Sequence, residues 1–186
     1  MAVFEKAQDF RFDKNTTCCF SGHRPDKLPG NGDVVNSMAL RRILSILRLS
    51  IEDAIKDGYK TFISGMAPGV DLWAASFIRD IHAKNPEINL VCVLPFREQK
   101  KSLHGEALYD YNLLLDSAAQ VICLNDKYEA GCMRERNQFM IDNSSRLIAV
   151  VNSYRSGTGM TINMAKKQNV DIKIIDVNKN PAVFTD

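Results

Sequence analysis

Short apolar runs alternate with glycine-bearing loops and helically spaced segments along this 186-residue chain, and that order narrows its fold more than any other feature. Runs rich in apolar and β-branched residues occupy positions 16–21, 60–64, 88–94, 120–124, 146–151 and 172–177. Several, such as Ile-Asn-Leu-Val-Cys-Val-Leu at 88–94, are nearly continuous rather than alternating, as burial on both faces of a sheet demands. Between the first two runs, residues 35–57 carry Ala39, Ile43, Ile46, Leu47, Ile51, Ala54 and Ile55 at helical intervals, with Gly58 where a helix ends. Further helices are expected from the 65–69 loop to about Ala83, stopped by Asn85-Pro86, and over 105–117, 133–143 and 160–168. Six strands joined through helices predict an α/β fold, a Rossmann-like, doubly wound, mostly parallel sheet with helices on both faces. A single domain over residues 1–186 accommodates the pattern, with 1–15 and 178–186 as flexible ends. In such a sheet, ligands bind beyond the carboxyl ends of the strands where the strand order reverses. The glycine loops here follow strands, so they gather on that edge.

Charge and cysteine usage narrow the function classes, though net charge says nothing about how cations cluster. The net charge of +2 is too mild to be a nucleic-acid footprint by itself, which is a concentrated basic face. No stretch reaches the ~18 apolar residues of a membrane span, so no membrane partner is expected. The first fifteen residues carry Glu5, Lys6, Asp9, Arg11, Asp13 and Lys14 where a signal peptide has an apolar core, and the expected location is cytoplasmic. Of the five cysteines, Cys18, Cys19, Cys92 and Cys123 fall in strand-like runs, where cysteine behaves as a small hydrophobe. There is no Cys-x-x-Cys pair and no Cys/His spacing of a zinc site, so no metal is expected.

Four segments carry the candidate chemistry. Ser64-Gly65-Met66-Ala67-Pro68-Gly69-Val70-Asp71 is a strand end, two glycines and a helix start. Glycine lets the backbone approach a phosphate, while free N–H groups and the helix dipole favour an anion. The same spacing also describes a ligand-free turn, and Asp71 would repel a nearby phosphate, so its expected role is to hold the loop in shape. Ser156-Gly157-Thr158-Gly159-Met160-Thr161 repeats the pattern after a later strand, as a phosphate cup or as a helix capped by Thr158 or Thr161. Ser21-Gly22-His23-Arg24-Pro25 ends the first strand, with Arg24 as a two-pronged phosphate donor and His23 as a base or a backbone-bonded loop residue. Arg134, Glu135, Arg136 and Asn137 form a charged turn near the ligand edge. The candidate ligand residues are therefore Gly22, Arg24, Ser64, Gly65, Gly69, Ser156, Gly157, Thr158 and Gly159, supported by His23, Asp71, Arg134, Asn137 and Thr161. Serine-elbow, Walker-lysine and His-Glu-x-x-His motifs are absent, so no residue is assigned to catalysis.

Taken together, residues 63–75 (ISGMAPGVDLWAA), 94–99 (LPFREQ), 134–151 (RERNQFMIDNSSRLIAVV) and 156–161 (SGTGMT) resemble the YpsA-like proteins of the SLOG superfamily. The resemblance runs from about Thr17 to Val177 and implies a Rossmann-like binder of a nucleotide-derived ligand such as ADP-ribose, NAD or AMP, with a regulatory role and a homodimeric state common among relatives. The same segments are similar to the central domain of DprA, which implies the alternative of a module with weak single-stranded nucleic-acid binding. A third relative, the LOG phosphoribohydrolase, carries a catalytic glutamate in a PGGxGTxxE loop. Here that stretch reads Ser156-Gly157-Thr158-Gly159-Met160-Thr161-Ile162-Asn163-Met164, without glutamate, which favours binding over N-glycosidic hydrolysis.

Overall fold

A computed structural model describes residues 3–179, apart from the side chain of Ser102. Six strands alternate with five helices: β1 (Thr17–Gly22), α1 (Met38–Lys56), β2 (Thr61–Ser64), α2 (Val70–His82), β3 (Asn89–Leu94), α3 (Gly105–Ser117), β4 (Gln120–Cys123), α4 (Cys132–Asp142), β5 (Arg146–Val151), α5 (Gly157–Lys167) and β6 (Asp171–Asp176). All strand pairs are parallel, in the order β4-β3-β2-β1-β5-β6. The chain builds outward from β1 to β4, then crosses back to lay β5 on the other side of β1. The reversal therefore lies between β1 and β5, with Cys19 paired to Leu147 and Gly22 to Val150.

Two-sided burial follows from the period-two alternation of these strands. Cys18, Phe20, Phe62 and Cys92 face one core with α1, α2 and α3. Cys19, Ile63, Val91 and Val93 face the other, with Met140 and Ile141 of α4 and Ile162 and Ala165 of α5. Helix α1 shows why such segments fold as they do. Ser37 caps it by accepting from the Leu40 N–H at 3.2 Å, and Leu40, Ile43, Leu47, Ile51 and Ala54 form its buried stripe. Each fully buried leucine or isoleucine contributes about 1.5–3 kcal/mol.

The N-terminal segment, expected as a flexible end, is laid along the outer edge of β4. Glu5 donates its N–H to the Val121 carbonyl at 2.8 Å and accepts from the Cys123 N–H at 3.0 Å. Phe10 packs edge-on to Phe139 of α4, with ring centres 5.9 Å apart. This covers a strand edge that would otherwise present unpaired backbone groups. At the other end, Asn178 donates to the Asn152 carbonyl, and residues 180–186 lie outside the described residues. No helix among the described residues is long and apolar enough to cross a membrane.

Candidate functional site

The carboxyl ends of β1, β2 and β3 and the first turns of α4 and α5 enclose a cleft of about 480 Å³. Two close backbone approaches and one side-chain hydrogen bond shape it. Gly22 ends β1 against α2, where a Cβ would stand 2.3 Å from the Val70 Cβ. Gly69 precedes α2 at φ 94°, a left-handed conformation, and a side chain there would meet the His23 carbonyl oxygen at 2.5 Å. That carbonyl accepts from the Val70 N–H at 3.4 Å, so the β1 loop is docked on the start of α2. His23 completes the link across the strand reversal, its Nε2 accepting from the Ser153 N–H at 3.2 Å after β5. An imidazole accepting at Nε2 is neutral with its proton on Nδ1. Burial pushes its pKa below the ordinary value, in keeping with that state.

Behind the β2 loop lies a buried polar cluster. The Ser64 hydroxyl donates to the Asp71 carbonyl at 2.9 Å and accepts from the Met66 N–H at 3.1 Å. Arg136, almost fully buried, donates from Nη1 to the Gly65 carbonyl and from Nε to the Asn137 Oδ1 at 2.8 Å. Gln99 donates to the Met66 carbonyl at 2.9 Å. Asp71 accepts from the Ala67 N–H at 3.4 Å and lies 3.8 Å from Arg136. Burial pushes the Asp71 carboxyl up to about 6, against the opposing pull of Arg136 and the Ala67 N–H. The Arg136 guanidinium is shifted down, again by burial first, so desolvation outweighs the attraction on both sides of this pair.

Helix α5 opens onto the far wall. Ser156 is its N-cap, accepting from the Gly159 N–H at 3.1 Å, in the place considered for Thr158 or Thr161. Thr161 donates instead to the Gly157 carbonyl at 3.0 Å and accepts from Asn137 Nδ2 at 2.9 Å, tying α5 to α4. Gly159 packs on the Tyr154 carbonyl, whereas a Cβ on Gly157 would meet nothing within 4 Å. Gly157 and Thr158 both line the cleft.

The structure thus brings Gly22, His23, Arg24, Asp71, Asn137, Gly157 and Thr158 to one cleft. Ser64, Gly65, Gly69, Ser156, Gly159 and Thr161 shape it from behind rather than line it. Arg134 lines a separate groove on the outer side of α4, with Glu135 and Gln138. Sequence reasoning assigned no role to Phe96, Gln99 and Met133 and named Arg136 only as part of the charged turn, yet all four line the cleft. A signal for Arg136 existed: Cys132, Arg136 and Met140 are spaced four apart and all buried, which marks a polar residue on the core face of α4. Among the described residues, no group of three or more His, Cys, Asp or Glu side chains is placed to hold a metal ion.

Comparison with known proteins agrees with this architecture. The YspA SLOG family (YpsA) matches residues 18–180. The SPbeta prophage-derived protein YoqJ of Bacillus subtilis (strain 168) is 32% identical over 130 residues, covering 63% of this chain and 76% of that protein. A UPF0398 protein of Bacillus thuringiensis (strain Al Hakam) is 29% identical over 133 residues, covering 70% of this chain and 72% of its own length. Among solved structures, DNA processing protein A from Helicobacter pylori, described for its single-stranded DNA binding mode, aligns with a TM-score of 0.56 at 15% identity. DprA from Streptococcus pneumoniae aligns with a TM-score of 0.57 at 15% identity. The chain covers 64% and 50% of those two proteins, and at this identity the likeness is one of fold.

Proposed function

Because the chain belongs to the YspA SLOG family, we propose that it is a binding module for a nucleotide or nucleotide-derived ligand of the ADP-ribose, NAD or AMP type. The observation that carries this reading is the cleft at the β1–β5 reversal, where the open first turn of α5 and the Arg24 side chain meet. First-turn N–H groups have no intrahelical acceptor and the helix dipole adds positive potential, so Gly157 and Thr158 suit a phosphate. Helix α2 also starts at the cleft, but the Asp71 carboxylate occupies its first turn and disfavours a second anion there. A phosphate is therefore directed to the α5 side. The role we assign is regulatory ligand sensing in the cytoplasm.

A second reading, single-stranded DNA binding, rests on the fold shared with the DprA proteins. Of the cations lining the cleft, Lys27 is paired with Asp26 and Arg136 is buried against the Gly65 carbonyl and Asn137, which leaves Arg24 to meet an anion. A surface that binds DNA through phosphates needs cations available to displace counterions. This favours the small ligand. The test is a thermal-shift titration of the purified chain with NAD, ADP-ribose, AMP and a short single-stranded DNA. A ligand at 100 times its Kd stabilises the fold by about 2.7 kcal/mol. A shift with a nucleotide that Gly157→Trp abolishes supports the proposal, since Gly157 lines the cleft and a Cβ there meets nothing within 4 Å. A shift with DNA alone, or with no nucleotide, overturns it.

A further inference from the structure

The cleft is longer than a phosphate site requires, and its two ends differ in chemistry. The α5 end presents backbone N–H groups and Arg24, whereas the β3 end presents the half-buried side chains of Phe96 and Met133. From β5 to β3 there are three strand spacings, through β1 and β2, or about 14 Å. A phosphate alone leaves the β3 end unfilled.

Phe96 is held there by its neighbours. Asn125 Nδ2 donates to the Pro95 carbonyl at 3.0 Å, and the Arg97 N–H donates to the Asn125 carbonyl at 3.3 Å. Arg97 Nε donates to Asp126 Oδ1 at 2.8 Å, so the residues on either side of Phe96 are bound to the loop after β4. That loop also supplies Tyr128, edge-on to Phe96 with ring centres 5.5 Å apart and an interplanar angle of 87°. A phenyl ring lining a cleft while its backbone is fixed on both sides has lost little freedom to a ligand that stacks on it. An aromatic face and a thioether suit a flat, polarisable ring.

We propose that Phe96 and Met133 seat the base of the ligand, with Tyr128 bracing Phe96. The ligand is then a nucleoside 5′-phosphate or a longer nucleotide lying across the sheet edge, phosphate at α5 and base at β3. This assignment rests on the reading of the cleft as a nucleotide site and adds the ligand's orientation and its need for a base.

Calorimetric titration of the full chain with AMP, GMP, CMP, UMP and ribose 5-phosphate tests it, because ribose 5-phosphate keeps the phosphate and sugar and lacks the base. At least one nucleotide is expected to bind about tenfold or more tighter than ribose 5-phosphate. Phe96→Ala is expected to weaken that nucleotide about tenfold and leave ribose 5-phosphate within about twofold. Phe96→Trp, which keeps a stacking face, is expected to retain the affinity. Phe96→Leu preserves apolar bulk without a flat face and replaces the alanine variant if that one does not fold. A nucleotide that binds wild type and Phe96→Ala (or Phe96→Leu) equally, or no tighter than ribose 5-phosphate, overturns the base seat alone. Failure of every probe to bind wild type, with NAD and ADP-ribose added to the panel, overturns the nucleotide reading and the base seat together.

Discussion

Replacing Asp71 by asparagine tests the claim that burial, and not the nearby arginine, sets the state of the cleft's buried carboxyl. Asp71 is 5% exposed and Arg136 6%, and their closest charged atoms stand 3.8 Å apart, beyond hydrogen-bond contact. The Arg136 donors are already engaged by the Gly65 carbonyl and Asn137. Its attraction therefore only partly offsets the desolvation of Asp71, whose pKa stands at about 6 against an ordinary 3.8. A carboxyl that holds its proton longer in the folded chain than in the unfolded one lowers stability as pH rises through that interval. Ionising Asp71 thus costs the folded chain about 3 kcal/mol, with the loss spread between about pH 4 and pH 6 and complete by about pH 7. Asparagine keeps an oxygen for the Ala67 N–H and removes the charge. The unfolding free energy of Asp71→Asn minus that of wild type should therefore climb by about 3 kcal/mol from about pH 4 to about pH 7. Urea unfolding followed by circular dichroism at several pH values measures it. A flat difference would show that the carboxyl is not shifted. A difference that falls with pH would show that Arg136, and not burial, dominates.

The other variants separate residues that shape the cleft from those that face it. Gly159→Ala should destabilise the fold by about 1–3 kcal/mol in thermal denaturation, because its Cβ would stand 1.9 Å from the Tyr154 carbonyl oxygen, a backbone atom that cannot swing aside. Ser156→Ala removes the side chain that caps α5 and should cost about 1 kcal/mol by the same assay, with Ser156→Gly costing less. Gly157→Ala should leave the melting temperature within about a degree, since nothing stands within 4 Å of its Cβ position, and Gly157→Trp should abolish nucleotide-induced shifts.

The fold was legible because periodicity reports burial locally. Helix α3 and strand β5 occupy the predicted 105–117 and 146–151, and the other elements end within a few residues of expectation. The larger departures came from capping. The predicted start at 35 for α1 gives way to Met38, because Ser37 takes the N-cap. Helix α5 begins at Gly157, not 160, because the glycines read as loop are its own first turn once Ser156 caps it. Strand order was not legible in the same way. β1 pairs with both β2 and β5, and all three are apolar on both faces. Hydrophobic pattern alone does not choose among such neighbours.

The site was legible as far as glycine marks a close approach, and no further. Gly65 and Gly157 look alike in the sequence, each following a strand and preceding a helix. In the structure a Cβ on Gly65 would fall 2.0 Å from the Arg136 guanidinium, whereas one on Gly157 would project into open space. What separates them is a side chain from another element, Arg136 of α4, which enters behind the β2 loop and binds the Gly65 carbonyl. That contact joins positions 71 residues apart, and no local pattern encodes it. The same arginine explains why Ser64 and Gly65 sit behind the cleft wall and why Asp71 can lie there at all. Burial makes ionising that carboxyl costly, and the nearby cation offsets part of the cost. Two similar loops therefore differ in kind: the one backed by Arg136 is closed, and the one capped by Ser156 leaves Gly157 and Thr158 facing the cleft.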